Sequence, residues 1–391
     1  MRTSTRLRPF GTTIFADITA RAIKSRAVNL GQGMPDFDGP DWIKDAATDA
    51  MRRYPNQYAP MPGVPALRDA LRSRWAASTG LDADVDTEIT VTAGCTGALA
   101  ACHLGLLEPG DEVIAFEPFY DAYGADAALA GARSVAVPLR PDAIGHFAFD
   151  PDELASAVSD RTRAIIVNTP HNPTGKVFTH AELQQIAHLA IERDLVVIAD
   201  EVYEHLVFDD ARHVSIATLP GMRERTITLG SFGKSFSLTG WKIGWAIAPP
   251  DLTAAVRAAH QFINFAVATP LQHAAGEALN RGDDHLAGLG PDFAERRDQL
   301  GTALLDLGFA FEAPRGGYFI LADHTAVSRR LGVADDVELC RWLIERAGVA
   351  TIPPTAFYQH PEHGKHLLRF AFCKAHDTLR EASDRLRRAL A

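Results

Sequence analysis

The chain alternates short runs of consecutive apolar residues with longer stretches in which apolar positions recur every three or four residues. The apolar runs are Glu88–Gly94 (EITVTAG), Glu112–Glu117 (EVIAFE), Ser134–Leu139 (SVAVPL), Arg163–Asn168 (RAIIVN), Leu195–Asp200 (LVVIAD), Thr226–Ser231 (TITLGS) and Ile243–Ala248 (IGWAIA). Runs this short, rich in Val and Ile, predict strands buried on both faces. Between them, Ala98–Leu107 and Ala181–Asp194 carry a helical period. The second opens with Thr179 three residues before Glu182, a capping box in which each side chain satisfies the other's exposed amide. Strands alternating with helices predict an α/β fold around a largely parallel sheet.

From about residue 286 the texture changes. A charged helical pattern (Pro291–Gly308) leads into more widely spaced strands, and the chain closes with an amphipathic helix starting at Asp377. We therefore expect a large domain over 39–285 and a smaller C-terminal α+β domain over 286–391, with an N-terminal segment, 1–38, packing on the smaller one. A chain of 391 residues has room for two or three domains.

Composition narrows the class. The chain is 47% hydrophobic and 23% charged, which excludes collagen, coiled coil and disordered tails. It carries 39 basic against 49 acidic residues, a net charge of −10, so neither nucleic acid nor an anionic membrane is an expected partner. Four cysteines cannot build a disulfide framework, and their spacing matches no zinc motif. The basic N-terminus lacks the apolar stretch of a signal peptide, and no run of about 18 apolar residues occurs. A cytoplasmic location with reduced thiols is the expectation.

The chemistry gathers at the predicted strand ends, where open α/β sheets bind their ligands. Glu88–Gly94 runs into Gly94-Cys-Thr-Gly97 and a helix, a turn whose free amides suit a phosphate. Arg163–Asn168 ends in Asn168-Thr-Pro-His-Asn172-Pro-Thr-Gly175, a stiff turn with fixed amide donors. Leu195–Asp200 delivers a carboxylate followed by Tyr203. Lys234 lies in a Ser/Gly-rich turn among apolar neighbours, where desolvation can make an amine nucleophilic toward an aldehyde. An amide cradle, an amide donor, an acid with a phenol, and an amine are the requirements of pyridoxal phosphate.

These segments resemble the class I/II, fold type I, pyridoxal-phosphate-dependent aminotransferases. Within them the chain is most similar to the group holding kynurenine/glutamine, methionine and succinyl-diaminopimelate aminotransferase-like enzymes. The matching stretches are Val28–Phe37, Asn56-Gln-Tyr58, Glu117–Tyr123, Asn168–Gly175, Asp200-Glu-Val-Tyr203, Ser231–Trp245 and Leu368-Arg369-Phe370, in family order and over nearly the whole chain. The resemblance implies a mostly parallel seven-stranded sheet sandwiched by helices. It implies that Lys234 bonds the cofactor aldehyde and shuttles the proton, and that Asp200 pairs with the pyridinium nitrogen. Tyr203 and Asn172 would bond the ring oxygen, and Tyr120 would stack on the ring. Cys95, Thr96, Ser231 and Lys242 would bind the phosphate. Arg369 would grip the substrate carboxylate beside Gly33, with Asn172 close by. Tyr58 and Phe265 would reach the site of a partner in a homodimer. The substrates implied are an L-amino acid and a 2-oxo acid, exchanged by ping-pong kinetics.

Some positions depart from the pattern. Lys242 stands where many class I members have Arg, exchanging a bidentate fork for a point charge. Thr96 replaces a bulkier residue of some relatives. Phe15 and Phe265 fall where relatives place aromatics at the substrate mouth, and no second Arg is evident for a distal carboxylate, since Arg315 reads as a solvated loop residue. Aromatic, methionine or glutamine-like donors are therefore favoured. A C–S β-lyase, a succinyl-diaminopimelate aminotransferase and a secondary-metabolism enzyme on the same fold remain alternatives. Cys95 reads as a small residue whose amide matters, and Cys102, Cys340 and Cys373 as core. Gly31-Gln-Gly33 lacks the third glycine of a dinucleotide fingerprint. His360, His363 and His366 read as solvated loop residues, with no buried carboxylate or cysteine expected beside them, so no metal is expected.

Overall fold

The computed structural model describes residues 4–10, 14–142 and 145–390. All seven predicted strands form, and they join one sheet. They are β1 (Ile89–Ala93), β2 (Glu112–Glu117), β3 (Arg133–Pro138), β4 (Thr162–Asn168), β5 (Val196–Asp200), β6 (Thr226–Ser231) and β7 (Ile243–Ile247). Their spatial order is β1-β7-β6-β5-β4-β2-β3, with β7 antiparallel to both neighbours and every other pair parallel.

The unbroken apolar runs have a direct cause. Successive side chains alternate between faces, and both faces are covered. Val113, Ala115, Ala164 and Ile166 pack under one helical layer, with Leu99 and Val256. Their chain neighbours Ile114, Phe116, Ile165 and Val167 pack under the other, with Leu183 and Ile186. Each Val, Ile, Leu or Phe taken fully from water contributes roughly 1.5–3 kcal/mol, so apolar residues are favoured on both faces between the strand ends.

Register then aligns the polar ends. Asn168 pairs with Asp200, and Asp200 with Leu229. Gly244 pairs with Ser231, and Ile243 with Ala93. Because β7 runs backwards, its first residues rather than its last reach this edge, and Lys242 arrives there with them. The C-terminal region adds an antiparallel pair, β8 (Phe319–Asp323) and β9 (Leu367–Ala371), in which Arg369 lies opposite Leu321. Val28–Asn29 near the N-terminus pairs in parallel with Val349–Ala350.

The helices differ from expectation at their starts. The helix predicted from Ala98 begins at Gly94 and runs to Leu106, because the glycine turn is itself the first helical turn. The helix predicted from Pro291 runs from Asp283 to Asp306 with the proline inside. Buried Leu286 and Leu289 extend the apolar stripe backwards, and that packing outweighs the roughly 3 kcal/mol cost of an interior proline. The capping box is present in both directions, Glu182 N–H to Thr179 Oγ1 at 3.2 Å and Thr179 N–H to Glu182 Oε2 at 2.8 Å. The closing helix, His376–Leu390, buries Leu379, Ala382, Leu386 and Leu390 on one stripe. Among the described residues, no helix is long and apolar enough to cross a membrane.

Asp126, in the helix Ala122–Ala130, is buried, and its Oδ2 has no hydrogen-bond partner among the described residues. Burial, reinforced by the charge of Asp121, raises its carboxyl to about 7. A folded-state value above the unfolded one favours folding below the unfolded value, and that advantage is lost as pH rises through the folded one. Asp126→Asn should therefore match the wild type near pH 4. Near pH 8 it should be more stable by a few kcal/mol, at about 1.4 kcal/mol per pKa unit. Urea unfolding at the two pH values checks this, and equal stabilities at the higher one would contradict it.

Candidate active site

A cavity of about 280 Å³ opens at the carboxyl edge of the sheet. Gly33, Cys95, Thr96, Tyr120, Asn172, Asp200, Tyr203, Ser231, Lys234, Lys242 and Arg369 all line it. Tyr58 and Phe265 do not. They meet edge to face on the surface, with ring centroids 5.7 Å apart. Phe15 belongs to the helix Ile14–Ser25, and its side chain lies outside the described residues. Arg315 pairs with Asp210 at 3.0 Å, away from the cavity.

One end of the cavity is an anion cradle. The helix Gly94–Leu106 has no side-chain cap at its N-terminus, so its first amides are free for a ligand. Ser231 and Lys242 face the same end. Gly94 has φ +67°, and a Cβ there would come within 3.3 Å of Lys242 Nζ. Glycine thus meets the backbone requirement and keeps the cradle open.

At the other end stands Asp200. Tyr123 Oη donates to its Oδ2 at 2.7 Å, Val202 N–H to its Oδ1 at 3.4 Å, and Cys95 Sγ lies 3.7 Å from Oδ1. Burial pushes this carboxyl above the usual range, against those donors. Among the described residues no Lys or Arg lies within ion-pair distance of it. A buried carboxylate so placed is satisfied by a cationic N–H entering the cavity.

The amine and the guanidinium occupy the near wall. Lys234 Nζ donates to Tyr318 Oη at 2.9 Å, and Tyr318 Oη donates onward to the Gly33 carbonyl at 2.7 Å. Gly33 must be glycine, because a Cβ would fall 2.4 Å from the Phe319 ring. Arg369 is buried and donates to neutral oxygens, Asn172 Oδ1 at 3.2 Å and the Gly31 carbonyl at 2.8 Å. Its guanidinium also lies 4.2 Å from the Phe319 ring centroid. Burial lowers it to about 10, so it stays charged at neutral pH. Asn172 is fixed in turn by Asn168, whose Oδ1 accepts its N–H at 2.8 Å and whose side-chain amide donates to the Asp200 carbonyl at 2.9 Å.

Sequence reasoning missed Tyr123 and Tyr318, whose hydroxyls hold the two reactive groups. Both lie in segments already singled out, Tyr120-Asp-Ala-Tyr123 and the Gly316-Gly-Tyr-Phe stretch, but spacing alone does not say which hydroxyl meets which group. One expectation is corrected. A fully buried carboxylate, Glu117, does accompany two of the three loop histidines, lying 2.8 Å from His360 Nδ1 and 3.3 Å from His363 Nδ1. Only His366 stands apart and exposed.

Cradle, buried acid and amine suit the phosphate, ring nitrogen and aldehyde of pyridoxal phosphate, and the buried guanidinium suits the carboxylate of a substrate. The comparisons agree. Residues 25–386 match the family model of aminotransferase class I and II, and the chain belongs to that family of pyridoxal-phosphate-dependent aminotransferases. It is 49% identical, over 98% of both chains, to a probable N-succinyldiaminopimelate aminotransferase of Mycobacterium tuberculosis. It is 41% identical to the methionine aminotransferase of Escherichia coli, over 98% of this chain and 97% of that protein. Among solved structures, an N-succinyldiaminopimelate aminotransferase from M. tuberculosis superposes with a TM-score of 0.95 at 50% identity, over 98% of this chain and 99% of that one.

The site's electrostatics can be read through its thiol. A helix N-terminus lowers a cysteine's pKa, but burial and the Asp200 carboxylate push Cys95 well above its ordinary value. Burial raises Cys102, Cys340 and Cys373 too, the last to about 11. At about pH 8 the native protein should react negligibly with Ellman's reagent, and all four thiols should titrate in denaturant. Rapid labelling of Cys95 in the native protein would contradict this.

Proposed function

We propose that the chain transfers the α-amino group of an L-amino acid to a 2-oxo acid by ping-pong exchange, with Lys234 as the reacting amine. The observation that carries this is the meeting, in one cavity, of the Lys234 amine, the buried Asp200 carboxylate and the Arg369 guanidinium. Pyridoxal phosphate, when bound, supplies an aldehyde that condenses with amines and a ring that withdraws electrons from the substrate α-carbon. The chain's own residues do the rest. Asp200, with Tyr123 behind it, keeps a proton on the ring nitrogen. Cys95 and Thr96 amides, Ser231 and Lys242 anchor the phosphate. Tyr120 would pack on the ring, and Asn172 and Tyr203 would bond its oxygen. Arg369 orients the substrate through its carboxylate, next to Gly33. Lys234, held by Tyr318, would take the substrate α-proton and carry it for return.

Donor choice follows from charge. Lys234, Lys242 and Arg369 are the cations among the described residues lining the cavity, and each already has a partner in this scheme. That favours an uncharged donor side chain such as methionine or an aromatic residue. The extent of identity with the M. tuberculosis relative favours a second reading, in which the substrate is a succinylated diamino acid. A panel of donors against 2-oxoglutarate and pyruvate separates the two. Lys234→Ala should lose the yellow cofactor adduct and at least about a hundredfold in rate, the lower bound for a positioned acid–base group. Arg369→Lys should keep the adduct and lose kcat/KM for every donor. Pyruvate and ammonia released with no acceptor present would overturn transamination in favour of β-elimination.

We also propose a homodimer with shared sites. Tyr58, 87% exposed, meets Phe265 edge to face, and Phe262 nearby in the chain is 85% exposed, apolar surface that a second copy would cover. Mixing Lys234→Ala with Tyr58→Ala chains should yield activity above the sum of the two alone. The expected ceiling is about a quarter of wild type, because two-fold pairing leaves half the dimers mixed, with one intact site in each. Activity no greater than the sum would rule out shared sites.

A further inference from the structure

The loop preceding β9 carries a cluster that amino transfer does not use. Glu117 closes β2 and is fully buried. Its Oε2 accepts hydrogen bonds from the backbone N–H of Gln359 at 2.8 Å and of His360 at 3.3 Å. Its Oε1 faces two imidazole nitrogens, His360 Nδ1 at 2.8 Å and His363 Nδ1 at 3.3 Å. The three ligand atoms lie within 4.8 Å of one another. His363 Nδ1 is itself buried and has no hydrogen-bond partner among the described residues. It is aimed at the carboxylate without the geometry of a bond to it.

We propose that Glu117, His360 and His363 form a binding site for a transition-metal ion of borderline softness, such as zinc, with water completing the coordination. Two imidazoles and a carboxylate are a known three-ligand zinc set. Ligand bonds of about 2.0–2.2 Å place tetrahedral neighbours roughly 3.3 Å apart. Oε1 and His363 Nδ1 already have that spacing, and the closer His360 contact would open by about half an ångström. The two backbone amides on Oε2 fix the carboxylate plane and leave Oε1 as the donor atom, as outer-shell bonds do at metal sites. In the metal-bound form each imidazole would be a neutral ring carrying its single N–H on Nε2, leaving the Nδ1 lone pairs of His360 and His363 to the ion. His360 is 52% exposed at its side chain and His363 38%, so an ion can enter directly from water.

The site joins two walls of the catalytic cavity. Glu117 precedes Tyr120 by three residues, and the histidine loop leads into the strand bearing Arg369. The loop already touches this wall through Phe119 N–H, which donates to the Phe357 carbonyl at 2.9 Å. A bound ion would turn that contact into a fixed tie.

The test uses untagged holoenzyme, stripped with chelator, dialysed and titrated with zinc chloride by calorimetry. One ion per chain with micromolar or tighter affinity is expected. His363→Ala and His360→Ala should each weaken binding by at least about tenfold, the smallest loss usual on disturbing a metal site, whereas His366→Ala should leave it unchanged. Zinc should raise the melting temperature of the wild type and not of His363→Ala. Absence of stoichiometric binding, or binding undiminished in His363→Ala, would overturn the proposal and leave the cluster as a carboxylate held by hydrogen bonds.

Discussion

A carboxylate removed from water must be paid for, and the placing of Asp200 depends on how that cost is met. The residue ends a strand in the middle of the sheet, and it is almost fully buried there. Tyr123 and the Val202 amide compensate it in part, so the balance remains with the carboxyl short of a cation. The rest of the site is arranged around this deficit. Asn168 ties the Asp200 backbone to the Asn172 turn, and Asn172 reaches Arg369. One chain of bonds therefore runs from the Asp200 backbone to the buried Arg369 guanidinium. Displacement at either end would be felt at the other.

The sheet was legible in the sequence because burial on both faces writes itself as unbroken apolar runs. The polar residue ending each run marks the sheet's edge, so Asp200, Asn168 and Ser231 stood out. Helix starts were less legible. Gly94 reads as a turn because glycine is a poor helix former, and Pro291 reads as a first residue because proline favours that position. In both, tertiary packing decides against local preference.

The least legible features were pairings over long sequence separation. Tyr123 meets Asp200 across 77 residues, Lys234 meets Tyr318 across 84, and Gln359 meets Glu117 across 242. A hydroxyl three residues from a stacking tyrosine has no pattern of its own, nor does a glutamate at a strand end that a distant loop will cover. Such partners are set by the crossover topology, which local periodicity does not carry. Tyr58 and Phe265 are a different case. In the described residues their rings meet each other edge to face, and the proposed second copy is what would give them a further role.

The reversed direction of β7 has a consequence for insertion and deletion. Lys234 and Lys242 sit on the one connection between β6 and β7, whose register is fixed by contacts that only glycine allows. A Cβ on Gly230 would lie 2.2 Å from the Trp245 indole, and one on Gly244 would lie 2.5 Å from the Gly94 backbone. The hairpin is thus a calliper with clamped jaws. Adding or losing one residue between the lysines cannot be absorbed by sliding the strands, so any change in loop length would fall on the spacing of the two ammonium groups.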